Sequence, residues 1–268
     1  MREAFYRQLG EHRFESLPPT AGPWSPHAQH AGPPAALLAR EIMAHEGRPE
    51  MRLSDFRLDV LGPIPLALLD IEVRTVRGGR SMELLEATAV AKGAAVAVAR
   101  AWRIVRTPQD YPVLPHTGQH EGGPVPGAEA GVGGNWLQMH GAHVDGYLSA
   151  VEWRIVTGGP ATDGTAVAWG RQRGQLVEGE DPSPWERALV VADSGSGLTM
   201  AVDPRHHAYI NCDLHVALHR EPVGEWVRMD SRALASPGHG GLVQTHFADT
   251  EGELGTGLQT MFAQAARS

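Results

Sequence analysis

The stretch DPSPWERALVVADSGSGL, residues 181–198, decides how the rest of the chain is read. It spells a helix with a marked start. Ser183 suits the N-cap, Pro184 the first helical position, and Glu186 completes a capping box three residues after the cap. Trp185, Ala188, Leu189 and Ala192 fall at i, i+3, i+4 and i+7, an apolar stripe that needs a surface to cover it. Gly195 marks the expected stop. Asp193 breaks the pattern, because in the last turn of a helix the dipole disfavours an anion by about 0.3–1 kcal/mol. A carboxylate placed there is either an incidental exposed charge or a functional base.

Around this helix the apolar runs read as strands: Val151–Thr157 and Thr165–Arg173 before it, then Tyr209–His219, Glu225–Ala235, Gly241–Ala248 and Glu253–Gln264 after it. The first half follows a similar order. A weak strand lies around Phe14–Leu17, a helix over Gln29–Glu46 is stopped by Gly47, and four strands follow at Met51–Leu61, Leu66–Arg77, Arg80–Ala91 and Ala94–Arg106. The Arg-Gly-Gly and Lys-Gly breaks between the later strands suit tight hairpins. An offset of 159 sets Pro63 on Pro222, Gly79 on Gly238 and Gly93 on Gly252. Between the halves lies a stretch rich in Pro, Gly and His, including GQHEGGPVPGAEAGVGG at 118–134. The expected organisation is an α+β unit present twice, over residues 1–110 and 147–268, joined by a linker over 111–146. Each unit wraps one long helix in an antiparallel sheet.

Composition narrows the function. The 268 residues are 42% hydrophobic and carry a formal net charge of −8 with no basic block, which argues against nucleic acid as a partner. A single cysteine, Cys212, excludes a disulfide framework and a multi-cysteine zinc site. No apolar run reaches the roughly 18 residues that a membrane span needs. The opening MREAFYRQLGEHRF carries acids and no apolar segment, so the expectation is no signal peptide and a cytoplasmic protein. No G-x-x-x-x-G-K phosphate loop is present.

Other signals fail on spacing. Neither Ser194 nor Ser196 has glycines at both positions that a G-x-S-x-G elbow requires. His215 and His219 would stand roughly 13 Å apart on a strand, too far to share a metal, and no metal site is expected. Ile210, Cys212, Leu214 and Val216 alternate as an apolar face, which sets Cys212 in the core. Asn211, Asp213 and His215 form the opposite, polar face.

Five segments resemble the acyl-CoA thioesterase II family and its thioesterase-like bacterial relatives, whose fold is the double hotdog. They are GPWSPHAQHAGPPAALLA (22–39), VRGGRSMELLEATAV (76–90), ALVVADSGSGL (188–198), INCDLHVALHREPVGEW (210–226) and EGELGTGLQTMF (251–262). The resemblance implies hydrolysis of acyl-CoA thioesters by a water held between an Asp, a Thr and a Gln. The Asp maps onto Asp193 and the Gln onto Gln259. The Thr position, two residues before Asp213, holds Asn211, a departure that keeps a hydrogen-bonding group and loses the hydroxyl. Asp213 itself is expected to be structural. Arg77, Arg80 and Arg205 are candidates to meet coenzyme A phosphates. No cofactor is implied, and a homo-oligomer, a dimer or larger, is expected from sheet edges that pair between subunits. The competing reading is a non-catalytic acyl-CoA or fatty-acid binder on the same scaffold.

Overall fold

Apolar residues at every second position turn most of the chain into strands, and two longer apolar segments into helices. The computed structural model describes residues 3–112, 127–133, 142–160, 163–200, 202 and 206–265. Most of the expected linker therefore lies outside the described residues. The first half contains β1 (Ala4–Gly10), β2 (Arg13–Ser16), β3 (Ala21–Gly22), β4 (Ser25–Gln29), α1 (Gly32–Ala44), β5 (Met51–Val60), β6 (Leu68–Arg77), β7 (Met82–Ala91) and β8 (Ala94–Val105). The second half contains β9 (Val132–Gly133), α2 (Tyr147–Ala150), β10 (Val151–Gly158), β11 (Thr165–Gln172), β12 (Gln175–Val177), α3 (Pro184–Ala192) and α4 (Gly195–Leu198). It ends with β13 (His207–Asn211), β14 (Asp213–Leu218), β15 (Val227–Ser236), β16 (Gly240–Asp249) and β17 (Gly252–Ala265).

One sheet runs β12-β1-β2-β6-β7-β8-β5-β14-β17-β16-β15-β11-β10-β9, with β13 beside β17. The β5–β14 pair, with Leu58 opposite Leu214, joins the halves. Outward from that seam the order is β5, β8, β7, β6 on one side and β14, β17, β16, β15 on the other. The β7–β8 hairpin turns on Lys92 and Gly93, both at positive φ, as a two-residue turn of the favoured twist requires.

The sheet wraps the two longer helices, and these also pack on one another. In α3 the expected stripe is buried, and so are Val190 and Val191, so the helix is enclosed on all sides. The α1–α3 contact needs glycine at the start of α1, since a Cβ on Gly32 would stand 2.2 Å from the Val190 carbonyl oxygen. The capping box forms as the sequence requires: Ser183 Oγ accepts from the Glu186 N–H, and a Glu186 carboxylate oxygen accepts from the Ser183 N–H.

The ends of the two helices differ. The last carbonyls of α1 receive the Arg103 guanidinium, which is fully buried and donates to Ile42, Met43 and His45 oxygens at 3.3, 3.4 and 2.7 Å. Glu83 balances its charge at 2.7 Å. At the end of α3 the capping position is Asp193, and the Val190 carbonyl accepts from the Tyr147 hydroxyl at 2.8 Å.

Three expectations need correction. Gly195 does not stop the helix; after a bend at Asp193 and Ser194 the chain resumes as α4. Glycine is needed at 195 for close approach, since a Cβ there would meet Gln259 Oε1 and Thr245 Oγ1 at 2.9 Å each. The strand expected over Tyr209–His219 is two strands, β13 and β14, broken at Cys212. Cys212 is exposed, because at that break it leaves the face on which Leu214 and Val216 are buried.

Candidate active site

The capping position of α3 places Asp193 at the edge of a cavity of about 520 Å³, with only 5% of the side chain exposed. Both halves line this cavity: Val60, Leu61 and Ile64 from the first, Trp153, Ile210 and Phe262 from the second. That volume and largely apolar lining suit a small-molecule ligand.

Two amides hold one oxygen of the carboxylate. Asp193 Oδ1 accepts from Asn211 Nδ2 at 2.8 Å and from Gln259 Nε2 at 3.2 Å. Gln259 Nε2 also donates to the Asp193 carbonyl at 3.0 Å, and Gln259 Oε1 accepts from the Ser196 N–H at 3.0 Å. Gln259 is therefore fully engaged, 2% exposed, and outside the cavity lining. Asn211 lines the cavity, with its second N–H on the Asp213 carbonyl at 3.2 Å. Its carbonyl oxygen is the group left to bond a ligand. The structure thus brings Asp193, Asn211 and Gln259 together.

Simple alternation would have turned Asn211 away from Asp193. Asn211 pairs with Met261 on β17, whereas His215 pairs with Leu258, so four steps along one strand span three on the other. The extra residue is a β-bulge at Cys212–Asp213, and it changes which face the strand presents. Asn211 shares the inner face with Gln259 and the buried Met261, while His215 bonds Asp55 across the seam. Asp213 fastens the bulge by accepting from the Thr260 N–H at 2.6 Å and from Thr260 Oγ1 at 3.2 Å.

The other carboxylate oxygen, Oδ2, lies 3.3 Å from Nδ1 of His30, a residue that the sequence reading passed over. His30 sits two residues before the start of α1 and stacks on Tyr147, ring centroids 3.6 Å apart and planes 2° from parallel. Its Nδ1 accepts from the Gly32 N–H at 3.2 Å. Burial pushes the His30 pKa down, and the Asp193 charge opposes that shift. Burial also pushes the Tyr147 phenol well above its ordinary range, so it stays protonated and donates to Val190. Its oxygen is 2.8 Å from Ser194 Oγ. The only sequence signal for His30 was a histidine beside the Gly-Pro-Pro helix start. Its partner lies 163 residues away, so local spacing could not reveal the pair.

The arginine candidates lie elsewhere. Arg77 and Arg80 are exposed on the β6–β7 hairpin and outside the cavity lining, with Arg77 placed 5.9 Å over the Trp102 ring. Arg205 is outside the described residues. Chemically, the site offers a carboxylate with one oxygen saturated by amides, the other beside an imidazole, and an apolar cavity in front. Such a group can take a proton from a water molecule.

Comparison with known proteins identifies a family and a fold. A family profile described as the acyl-CoA thioesterase N-terminal domain matches residues 20–104, and one described as the C-terminal domain matches residues 108–263. No curated protein matches the chain in sequence. Among solved structures, a hot dog fold protein of unknown function from Alicyclobacillus acidocaldarius superposes with a TM-score of 0.74 at 15% identity, covering 97% of this chain and 96% of that one. The acyl-CoA thioesterase II TesB2 from Mycobacterium marinum gives 0.65 at 13% identity, covering 98% and 95%. A tesB protein from Mycobacterium avium subs paratuberculosis gives 0.63 at 17% identity, covering 98% and 96%. At these identities the structural likeness shows the fold alone, an α+β hotdog.

Proposed function

The chain belongs to the acyl-CoA thioesterase family, and from that premise we propose that it hydrolyses acyl-CoA thioesters with a water activated by Asp193. The observation that carries this reading is the buried carboxylate, held by two amides at the edge of an apolar cavity. Asp193 Oδ2 takes a proton from the water as its oxygen attacks the thioester carbonyl. Asn211 orients that water by accepting its second hydrogen. Gln259 acts one step back, fixing the carboxylate and the turn that carries it. The acyl chain occupies the apolar part of the cavity.

We also read the chain as two copies of one helix-and-sheet unit. The strand order mirrored about the β5–β14 seam supports this, as do Gly93 and Gly252, both at positive φ in hairpins offset by 159 residues.

The test is thiol release from a panel of acyl-CoAs by wild type and Asp193→Asn. Loss of a general base is expected to lower kcat about 10²–10⁴-fold. Binding of a non-hydrolysable acyl-CoA analogue should survive, since Asn keeps the shape. Equal turnover by both proteins would remove Asp193 from the mechanism.

A further inference from the structure

His30 is an ionisable cavity residue that the hydrolysis described above leaves unused. Its surroundings fix its proton. The Gly32 N–H points at Nδ1, so in the resting site that nitrogen offers a lone pair and the ring proton sits on Nε2. Among the described residues no protein group bonds Nε2. The Nδ1–Oδ2 contact of 3.3 Å is then a lone pair facing an anion, with no proton between them. It becomes a hydrogen bond only when Asp193 acquires a proton, which happens as water attacks. An interaction that strengthens only along the reaction is the kind that accelerates it.

We propose that His30 is a catalytic residue that relays the proton taken up by Asp193 to the departing thiolate, receiving it at Nδ1 and delivering one from Nε2. The relay rests on Asp193 being the base. Water's O–H bond breaks and the proton goes to Oδ2, while the oxygen forms the new C–O bond and the carbonyl electrons move onto oxygen. When they return, the C–S bond breaks and sulfur keeps the electron pair. Nε2 gives its proton to sulfur as Oδ2 gives its own to Nδ1. The products are a carboxylic acid and a thiol, Asp193 is again an anion, and the neutral ring returns to its first tautomer by exchange with solvent. The stack on Tyr147 holds the ring in place throughout, and burial keeps it in the neutral form that can accept and donate at once.

The leaving group provides the test. Wild type and His30→Gln are compared on two thioesters of the same acyl group, one of CoA and one of thiophenol. A CoA-type alkyl thiolate is basic, with an ordinary thiol pKa of roughly 8.5, and benefits from a proton; the more acidic thiophenol leaves without one. The expected loss in kcat/KM is about 100-fold for the CoA ester and only a few-fold for the phenyl ester. Equal losses on both esters, or none on either, would overturn the relay. Asp193→Asn should lose activity on both esters; if it keeps both, the base assignment fails instead. Should His30→Gln unfold, His30→Phe retains an aromatic ring against Tyr147 and supports the same comparison.

Discussion

The end of α1 and the end of α3 are the same architectural position treated in opposite ways. At the end of α1 a fully buried guanidinium, Arg103, donates to three carbonyls and is itself balanced by Glu83. A cation there complements the helix dipole. At the end of α3 stands a carboxylate, held by two neutral amides and bordered by a cavity. The first arrangement is closed and electrostatically complete. The second leaves a carboxylate against the dipole with one oxygen unsaturated, a cost to stability and, under the proposed mechanism, the group that takes the proton from water. Under the proposed mechanism this is a division of labour, in which one helix end stabilises the fold and the other carries the chemistry.

The strongest way to break this contrast is Arg103→Met. It strips α1 of its cap and leaves Glu83, among the described residues, with the partly exposed Arg48 at 2.6 Å as its ion-pair partner. Chemical denaturation should show a loss of about 3–5 kcal/mol, with turnover per folded molecule unchanged. A drop in turnover at full stability would mean that the α1 end belongs to the active site.

A second carboxylate sharpens the contrast inside the second half. Asp249 is buried like Asp193, but a bidentate Arg220 grips it at 2.6 Å on each oxygen, and the Val223 and Glu251 N–H groups add two bonds at 2.8 Å. Burial alone would raise its pKa; the guanidinium and the backbone donors outweigh it, and the carboxyl titrates below its ordinary range. A depressed folded pKa gives stability that is present above the unfolded value, about 3.9, and lost as pH falls through the folded one. Asp249→Asn should therefore cost about 1.5–3 kcal/mol at pH 7, and the difference from wild type should close on acidification. A difference that persists at low pH would mean the effect is packing rather than charge.

The smallest effect concerns Asp193 itself. Removing an anion from a helix C-terminus should raise stability by about 0.3–1 kcal/mol in Asp193→Asn, while activity falls. A destabilised Asp193→Asn would show that the two amide contacts outweigh the unfavourable dipole.

Much of the fold was legible because period and punctuation agree. The strands from Met51 to Val105 fall within a residue or two of where Val, Leu and Ile alternate between Gly-containing breaks. The capping box of α3 was legible for the same reason, since Ser183, Pro184 and Glu186 act on their own neighbours. The strand β1 was not anticipated: Phe5 and Tyr6 are adjacent and both buried, so the alternation is blurred. In the site, Asp193 and Gln259, the residues that the resemblance named, bond one another. The orientation of Asn211 and the exposure of Cys212 were not legible, because a bulge is fixed by pairing with β17 and leaves no local mark. His30 was missed because its contacts with Asp193 and Tyr147 arise only when the two halves close on one another.

The bulge at Cys212 carries an evolutionary consequence. Because the surplus residue is taken up as a bulge, Asn211 stays opposite Met261 on the inner face; a one-place slip of β13 along β17 that flattens the bulge would turn that amide out of the cavity while β14 and the seam stayed paired. Under the proposed mechanism, a substitution that shifts this register would silence hydrolysis and spare the scaffold, leaving an apolar cavity free to be selected for storage or transport.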